Sequence, residues 1–254
     1  MLACALVWSG PAADLAAATL EQPEASRAPV VSEPSPQPFG LFTSRVFAGP
    51  LREKWRGVER KLDDERVQLA LCDGDRERCA SPAALRFLAI VDSARERDGR
   101  ARLGEVNRAV NLAIRPMSDQ AQYGEVDVWT SPLVTFDHGA GDCEDYAIAK
   151  FVALLQAGIS PDDLRIVIVR DGIRGEDHAV AAARLDGHWL ALDNRRMAMI
   201  EDGYLKNYQP LFVIDQHGLM QYVETPLLAD IPERDRSPTG TVIASQSGLV
   251  SSSN

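Results

Sequence analysis

The chain has 254 residues, 45% of them hydrophobic and 25% charged, enough to bury a sizeable core, so wholesale disorder is excluded. Its 27 Lys and Arg stand against 37 Asp and Glu, and a net charge of −10 repels a phosphate backbone, which argues against a nucleic-acid binder. No uninterrupted apolar run reaches the length of a membrane span.

In chain order, Met1–Ala18 is apolar and Ala-rich and resembles part of a secretory signal. It is an atypical or truncated one, because no Lys or Arg precedes Arg27 and Gly10, Pro11 and Asp14 interrupt the apolar run. Periplasmic export is the expectation. Leu2-Ala3-Cys4 looks like a lipoprotein cleavage box, but no apolar segment precedes it, so it is read as coincidence. From Glu21 to Pro38, five prolines alternate with Ser, Glu and Gln, a composition that favours extended, solvated backbone. Residues 1–40 are therefore expected to be a signal-like segment and Pro-rich linker, and residues 41–230 one folded domain. Residues 231–254, with Glu233-Arg234-Asp235-Arg236 and a Ser-rich end, read as a disordered tail.

Apolar spacing predicts helices over Glu53–Leu71, Pro82–Glu96 and Leu103–Ile114, the last stopping before Pro116. Cys72 and Cys79 fall in the polar loop between the first two. In an oxidising compartment they could form a disulfide worth about 2.5 kcal/mol by loop entropy, and otherwise they are two unpaired thiols. A zinc site would need a second ligand pair, which the nearby sequence does not offer.

The run Gly139-Ala140-Gly141-Asp142-Cys143-Glu144-Asp145-Tyr146-Ala147 opens a helix with an apolar stripe at Tyr146, Ala147, Phe151, Leu154 and Leu155, ended by Gly158. A thiol at that start feels the positive end of the helix dipole, which favours thiolate. Asp142 suits the N-cap, and the two glycines let the preceding loop turn tightly. On its own, Cys143 reads more readily as a small buried residue behind a good cap, and only the residues that follow reverse this.

Beyond Gly158 the pattern becomes strand-like over Leu164–Arg170, His178–Leu185 and His188–Asn194. Asp186-Gly187 is a two-residue hairpin turn that sets Leu185 opposite His188 and Asp193 opposite Val180. His178 then shares a sheet face with Asp193, roughly 7 Å away on the diagonal, within reach of an imidazole-to-carboxylate hydrogen bond. His188 points to the other face, and His138 sits in a loop across two glycines from Cys143. A thiol at a helix start with His178 and Asp193 on a hairpin supplies nucleophile, base and orienter. The Cys143 N–H, with the Trp129 indole as a possible second donor, would bind the oxyanion.

At these residues the chain resembles the bacterial transglutaminase-like cysteine peptidases, the family that includes the LapG-type periplasmic proteases. The likeness runs from about Asn107 to Asn194 and covers Asp127-Val128-Trp129 with Pro132, Gly141–Ala147 with Lys150, His178-Ala179-Val180 and Leu192-Asp193-Asn194. It implies an α+β, papain-like or transglutaminase-like domain: N-terminal helices, then a nucleophile at the start of a buried helix packed on an antiparallel sheet. It further implies a Cys143–His178–Asp193 triad and calcium held by Asp142 and Glu144. Two carboxylates are too few for a full calcium shell, so further ligands would be needed, and the two could instead only cap the helix. LapG-type members cleave a large surface adhesin near its N-terminus, commonly after paired alanines, under an inner-membrane receptor for cyclic di-GMP. The expected activity is thus a calcium-dependent thiol endopeptidase acting on a protein substrate. The alternatives are a transglutaminase-type acyltransferase with the same triad, or a non-catalytic binding protein on the same fold.

Overall fold

The three predicted N-terminal helices form, with shifted ends. The structure is a computed structural model and describes residues 37–223, so the signal-like segment up to residue 36 and the tail from 231 lie outside the described residues. Helix α1 (Pro50–Gly74) begins with Pro50 in the first turn and buries Trp55, Val58, Leu69 and Cys72 along one stripe. It runs past the expected Leu71, so Cys72 lies in its last turn rather than in a loop. Cys72 is bonded to Cys79 across a Cα–Cα distance of 4.7 Å, which resolves the open choice in favour of the disulfide. Helix α2 (Pro82–Arg95) is capped by Ser81, whose side chain accepts from the Ala84 N–H at 3.1 Å. Helix α3 (Gly99–Ala113) starts earlier than predicted and ends at an extended Ile114.

Short pieces follow: strand β2 (Arg115–Pro116), helix α4 (Asp119–Gln122), helix α5 (Pro132–His138) and strand β3 (Ala140–Gly141). Helix α6 (Cys143–Gln156) begins at the cysteine, as its sequence indicates. Strand β1 is Phe42–Arg45, and the C-terminal half supplies β4 (Leu164–Asp171), β5 (Glu176–Leu185), β6 (His188–Leu192), β7 (Ile200–Glu201), β8 (Tyr208–Asp215) and β9 (Gly218–Val223). These form one antiparallel sheet in the order β1-β9-β8-β4-β5-β6-β7, while β2 and β3 pair in parallel. The expected register holds, with Leu185 opposite His188 and Ala181 opposite Leu192. Asp186 and Gly187 both take positive φ, 51° and 82°, as such a turn demands.

Alternate residues of the sheet feed two cores. Ile166, Ala179, Ala181, Ala183, Leu190 and Leu192 face α6, and the alanines of β5 let the helix come close. Helices α2, α3 and α5 cover the rest of α6, which is buried continuously from Asp145 to Leu154. The opposite face buries Val167, Val169, Val180, Trp189, Tyr208 and Tyr222. Two guanidiniums, of Arg165 and Arg184, sit 5.2 and 5.4 Å from the Trp189 ring. Just before the expected domain start, Pro38 is buried and the Gln37 side chain accepts from Arg165 Nε at 2.8 Å, so residues 37–40 pack onto the fold. Among the described residues no helix is long and apolar enough to cross a membrane.

Candidate active site

Two local devices place Cys143 at the first position of α6. Gly139 takes a left-handed φ of 61° to end α5, its N–H donating to Thr135 O at 2.9 Å. Gly141 lacks a side chain for a different reason: a Cβ there would lie 2.6 Å from Asp145 Oδ2. Asp145 in turn accepts from the Asp142 N–H at 3.3 Å, which closes the first turn of α6. Cys143 Sγ is half-buried and donates to Glu144 Oε2 at 2.8 Å. Burial first, then the Glu144 carboxylate, push this thiol up, although the Ala179 N–H opposes them. The thiolate expected from the helix dipole alone is therefore not the form this arrangement favours, because burial and an adjacent anion outweigh the dipole.

The hairpin brings the other two residues together. His178 Nε2 meets Asp193 Oδ1 at 2.9 Å, and both side chains are buried. Asp193 Oδ1 also accepts from the Arg195 N–H at 2.9 Å, while Oδ2 accepts from the Tyr208 hydroxyl at 2.7 Å. Burial would raise the Asp193 carboxyl, but its donors, His178 foremost, hold it well below the usual carboxylate range. Asn111 and Lys150 fix the backbone around it, donating to Asp193 O at 3.0 Å and to Leu192 O at 3.1 Å. The remaining nitrogen of His178, Nδ1, is buried and has no partner among the described residues.

His178 and Cys143 line the same cleft of about 200 Å³, with Leu51, Trp129, Glu144 and Phe212 among its walls. Larger hollows of about 400 and 470 Å³ lie beside Arg45, Arg52 and Arg56 and beside the disulfide, but neither holds a nucleophile near a base. Chemistry, and not size, locates the site. His188 points away and faces Glu201 at 3.6 Å. His138 ends α5 rather than lying in a loop, and contacts Gln122 Nε2 at 3.1 Å and Tyr123 OH at 3.0 Å. The Trp129 indole is committed to Asp127 Oδ1 at 2.8 Å, so it does not serve as the second oxyanion donor.

Carboxylates crowd the far side of the cysteine loop. Oxygens of Asp119, Asp142 and Asp145 all lie within 4.8 Å of one another, with Glu144 close enough to raise Asp119 and Asp142 by repulsion. Burial first, then Glu144, push Asp142 up to about 9, and burial pushes Asp145 up to about 6. Asp119 Oδ1 and Asp142 Oδ1 are buried without a hydrogen-bond donor. Orphaned, mutually repelling hard oxygens fit a divalent cation such as calcium. Of the two expected ligands, Asp142 belongs to this cluster and Glu144 stands beside it, accepting from the thiol, while Asp119 and Asp145 carry no signal in the sequence pattern.

The profile of the bacterial transglutaminase-like cysteine proteinases matches residues 68–212. Among solved structures, calcium-bound LapG of Legionella pneumophila aligns at 24% identity with a TM-score of 0.50, covering 56% of this chain and 79% of that one. The EGTA-treated form of the same protein aligns at 24% identity with a TM-score of 0.49, covering 55% and 75%. At such identity the likeness is one of fold. No curated protein sequence matches the chain.

Proposed function

Because the chain belongs to the bacterial transglutaminase-like cysteine proteinases and is a cysteine peptidase, we propose that Cys143 is its nucleophile, His178 its base and Asp193 the orienter. The observation that carries this reading is the 2.9 Å contact of His178 Nε2 with Asp193, which leaves Nδ1 unpaired on an imidazole that lines the same cleft as Cys143. The thiol turns from Glu144 to Nδ1 and gives up its proton as sulfur attacks the substrate carbonyl. The Cys143 N–H, free at the helix start, stabilises the oxyanion. His178 then protonates the departing amine, and water, activated by the same nitrogen, releases the acyl group as a free acid. Asp193 holds the imidazole in one tautomer and balances the imidazolium.

Asp119, Asp142 and Asp145 would hold calcium, a metal that fits their hard, buried oxygens and that the similarly folded LapG of Legionella pneumophila also binds. Bound there, the ion supplies positive charge that offsets the carboxylates around the thiol. The location proposed is the periplasm, a reading the Cys72–Cys79 disulfide supports because such bonds persist in oxidising compartments. The proposed substrate is the N-terminal region of a large surface adhesin, with cyclic-di-GMP control through an inner-membrane receptor. Incubating the purified protein with that adhesin region tests the reading. Cleavage by wild type and none by Cys143→Ala supports it, and the free acid as main product in excess primary amine separates hydrolysis from acyl transfer.

A further inference from the structure

Asp193 is the first residue past the end of β6, so no strand ladder fixes its side chain, and its orientation depends on what its carboxylate touches. Two of the three donors to it, His178 Nε2 and the Arg195 N–H, share Oδ1. The third, the Tyr208 hydroxyl, is the hydrogen-bond donor to Oδ2, at 2.7 Å, with the Arg196 guanidinium farther off at 3.9 Å. Tyr208 reaches it from β8, on the far side of β4 from the hairpin that carries His178. Its ring also meets the His178 imidazole edge-on, with centroids 5.8 Å apart and planes at 65°. At 5% exposure the tyrosine is itself held in the core beside Val169 and Val180.

We propose that Tyr208 is a positioning residue for the peptidase reaction. Its hydroxyl stops the Asp193 carboxylate from swivelling, and its ring limits the tilt of His178, so that Nε2 stays on Asp193 and Nδ1 stays free of other partners for the thiol. This rests on the reading of Cys143, His178 and Asp193 as the triad. A carboxylate held on one oxygen can rotate about its Cβ–Cγ bond and take the imidazole with it, and a misaligned base slows proton transfer more than it weakens substrate binding.

Tyr208→Phe keeps the ring and removes only the hydroxyl. Tyr222→Phe is the control, since Tyr222 lies buried on the same face with a hydroxyl that has no partner among the described residues. On a synthetic peptide carrying a paired-alanine site, Tyr208→Phe should lower kcat about tenfold, the scale of one hydrogen bond to a charged group, with KM little changed. In nuclear magnetic resonance spectra of the Cys143→Ala protein, the downfield proton on His178 Nε2 should move or broaden when Tyr208→Phe is added. Tyr222→Phe should change neither. An unchanged kcat, or a lower kcat with an unchanged resonance, overturns the proposal. Because the resonance is read without turnover, it tests Tyr208 apart from the triad, whereas full cleavage by Cys143→Ala would overturn the triad itself.

Discussion

Lys150 buries an amino group in the helix that opens with Cys143, and replacing it should make the protein more stable at acid and neutral pH. Its side chain is fully buried, and Nζ donates to Leu192 O at 3.1 Å and stands 5.8 Å from the Tyr146 ring centroid. Among the described residues no carboxylate pairs with it directly. Burial pulls its amino group from 10.5 down to about 7, with the Asp193 charge opposing. Between those values the unfolded chain holds a proton that the folded one has shed, so this group's contribution to stability rises with pH, by about 1.4 kcal/mol per unit. Over the whole window that amounts to about 5 kcal/mol, and below about pH 7 the penalty is complete. Lys150→Met keeps an unbranched chain of similar volume and removes the titration, while the lost hydrogen bond to Leu192 O costs about 1–2 kcal/mol. The variant should therefore be about 3 kcal/mol more stable than wild type at pH 6, an advantage that fades to near zero by about pH 9. Urea denaturation of both proteins from pH 6 to 9, in saturating calcium, reads this difference directly. A gap that does not change with pH would refute the reasoning. The same variant should turn over more slowly, because the residue before Asp193 loses the donor that fixes it.

Three further outcomes are expected. Cys143→Ala should abolish peptide cleavage with circular dichroism unchanged, and His178→Ala should do nearly the same, whereas His188→Ala should be almost silent; equal losses from the two histidines would contradict the hairpin register. EGTA should suppress cleavage reversibly, with calcium and not magnesium restoring it, and Asp119→Asn or Asp145→Asn should weaken calcium binding in calorimetry; full activity of chelated protein would remove the metal from the mechanism. Gly141→Ala should cost about 1–3 kcal/mol in thermal unfolding, because the new methyl collides with Asp145.

What could be read in the sequence was short-range. Asp186-Gly187 dictates a turn with two positive φ angles, and from that turn alone the pairing that puts His178 and Asp193 on one face follows by counting. The helices were legible because their buried positions repeat at three and four residues, as Val58, Glu65, Leu69 and Cys72 do in α1. Strand β8 was not legible: Pro210 interrupts it, its burial does not alternate, and its pairing with β4 slips at Ile168/Val169. Tyr208 was missed with it, since nothing local marks a tyrosine that reaches an aspartate across two neighbouring strands.

The acidic cluster shows a different limit. Asp142 and Glu144 flank the nucleophile in sequence, and their carboxylates stay close enough for Glu144 to raise Asp142, while residues three apart lie on one helix face. Asp142 and Asp145 have that spacing, and their oxygens converge with one of Asp119, while Glu144 lies between Asp142 and the sulfur, accepting from the thiol. The third member arrives by a tertiary route. Parallel pairing sets Arg115 beside Ala140 and Pro116 beside Gly141, and Met117 N donates to Gly141 O at 3.0 Å, which delivers Asp119 to the same loop. The proposed calcium ligands are thus the residue that caps α6, a residue of its first turn, and the first residue of α4, carried to the same loop by the β2–β3 pairing. A cation bound there would tie down the backbone on both sides of Cys143 without touching the sulfur, so its effect on catalysis would be carried through the position of the nucleophile.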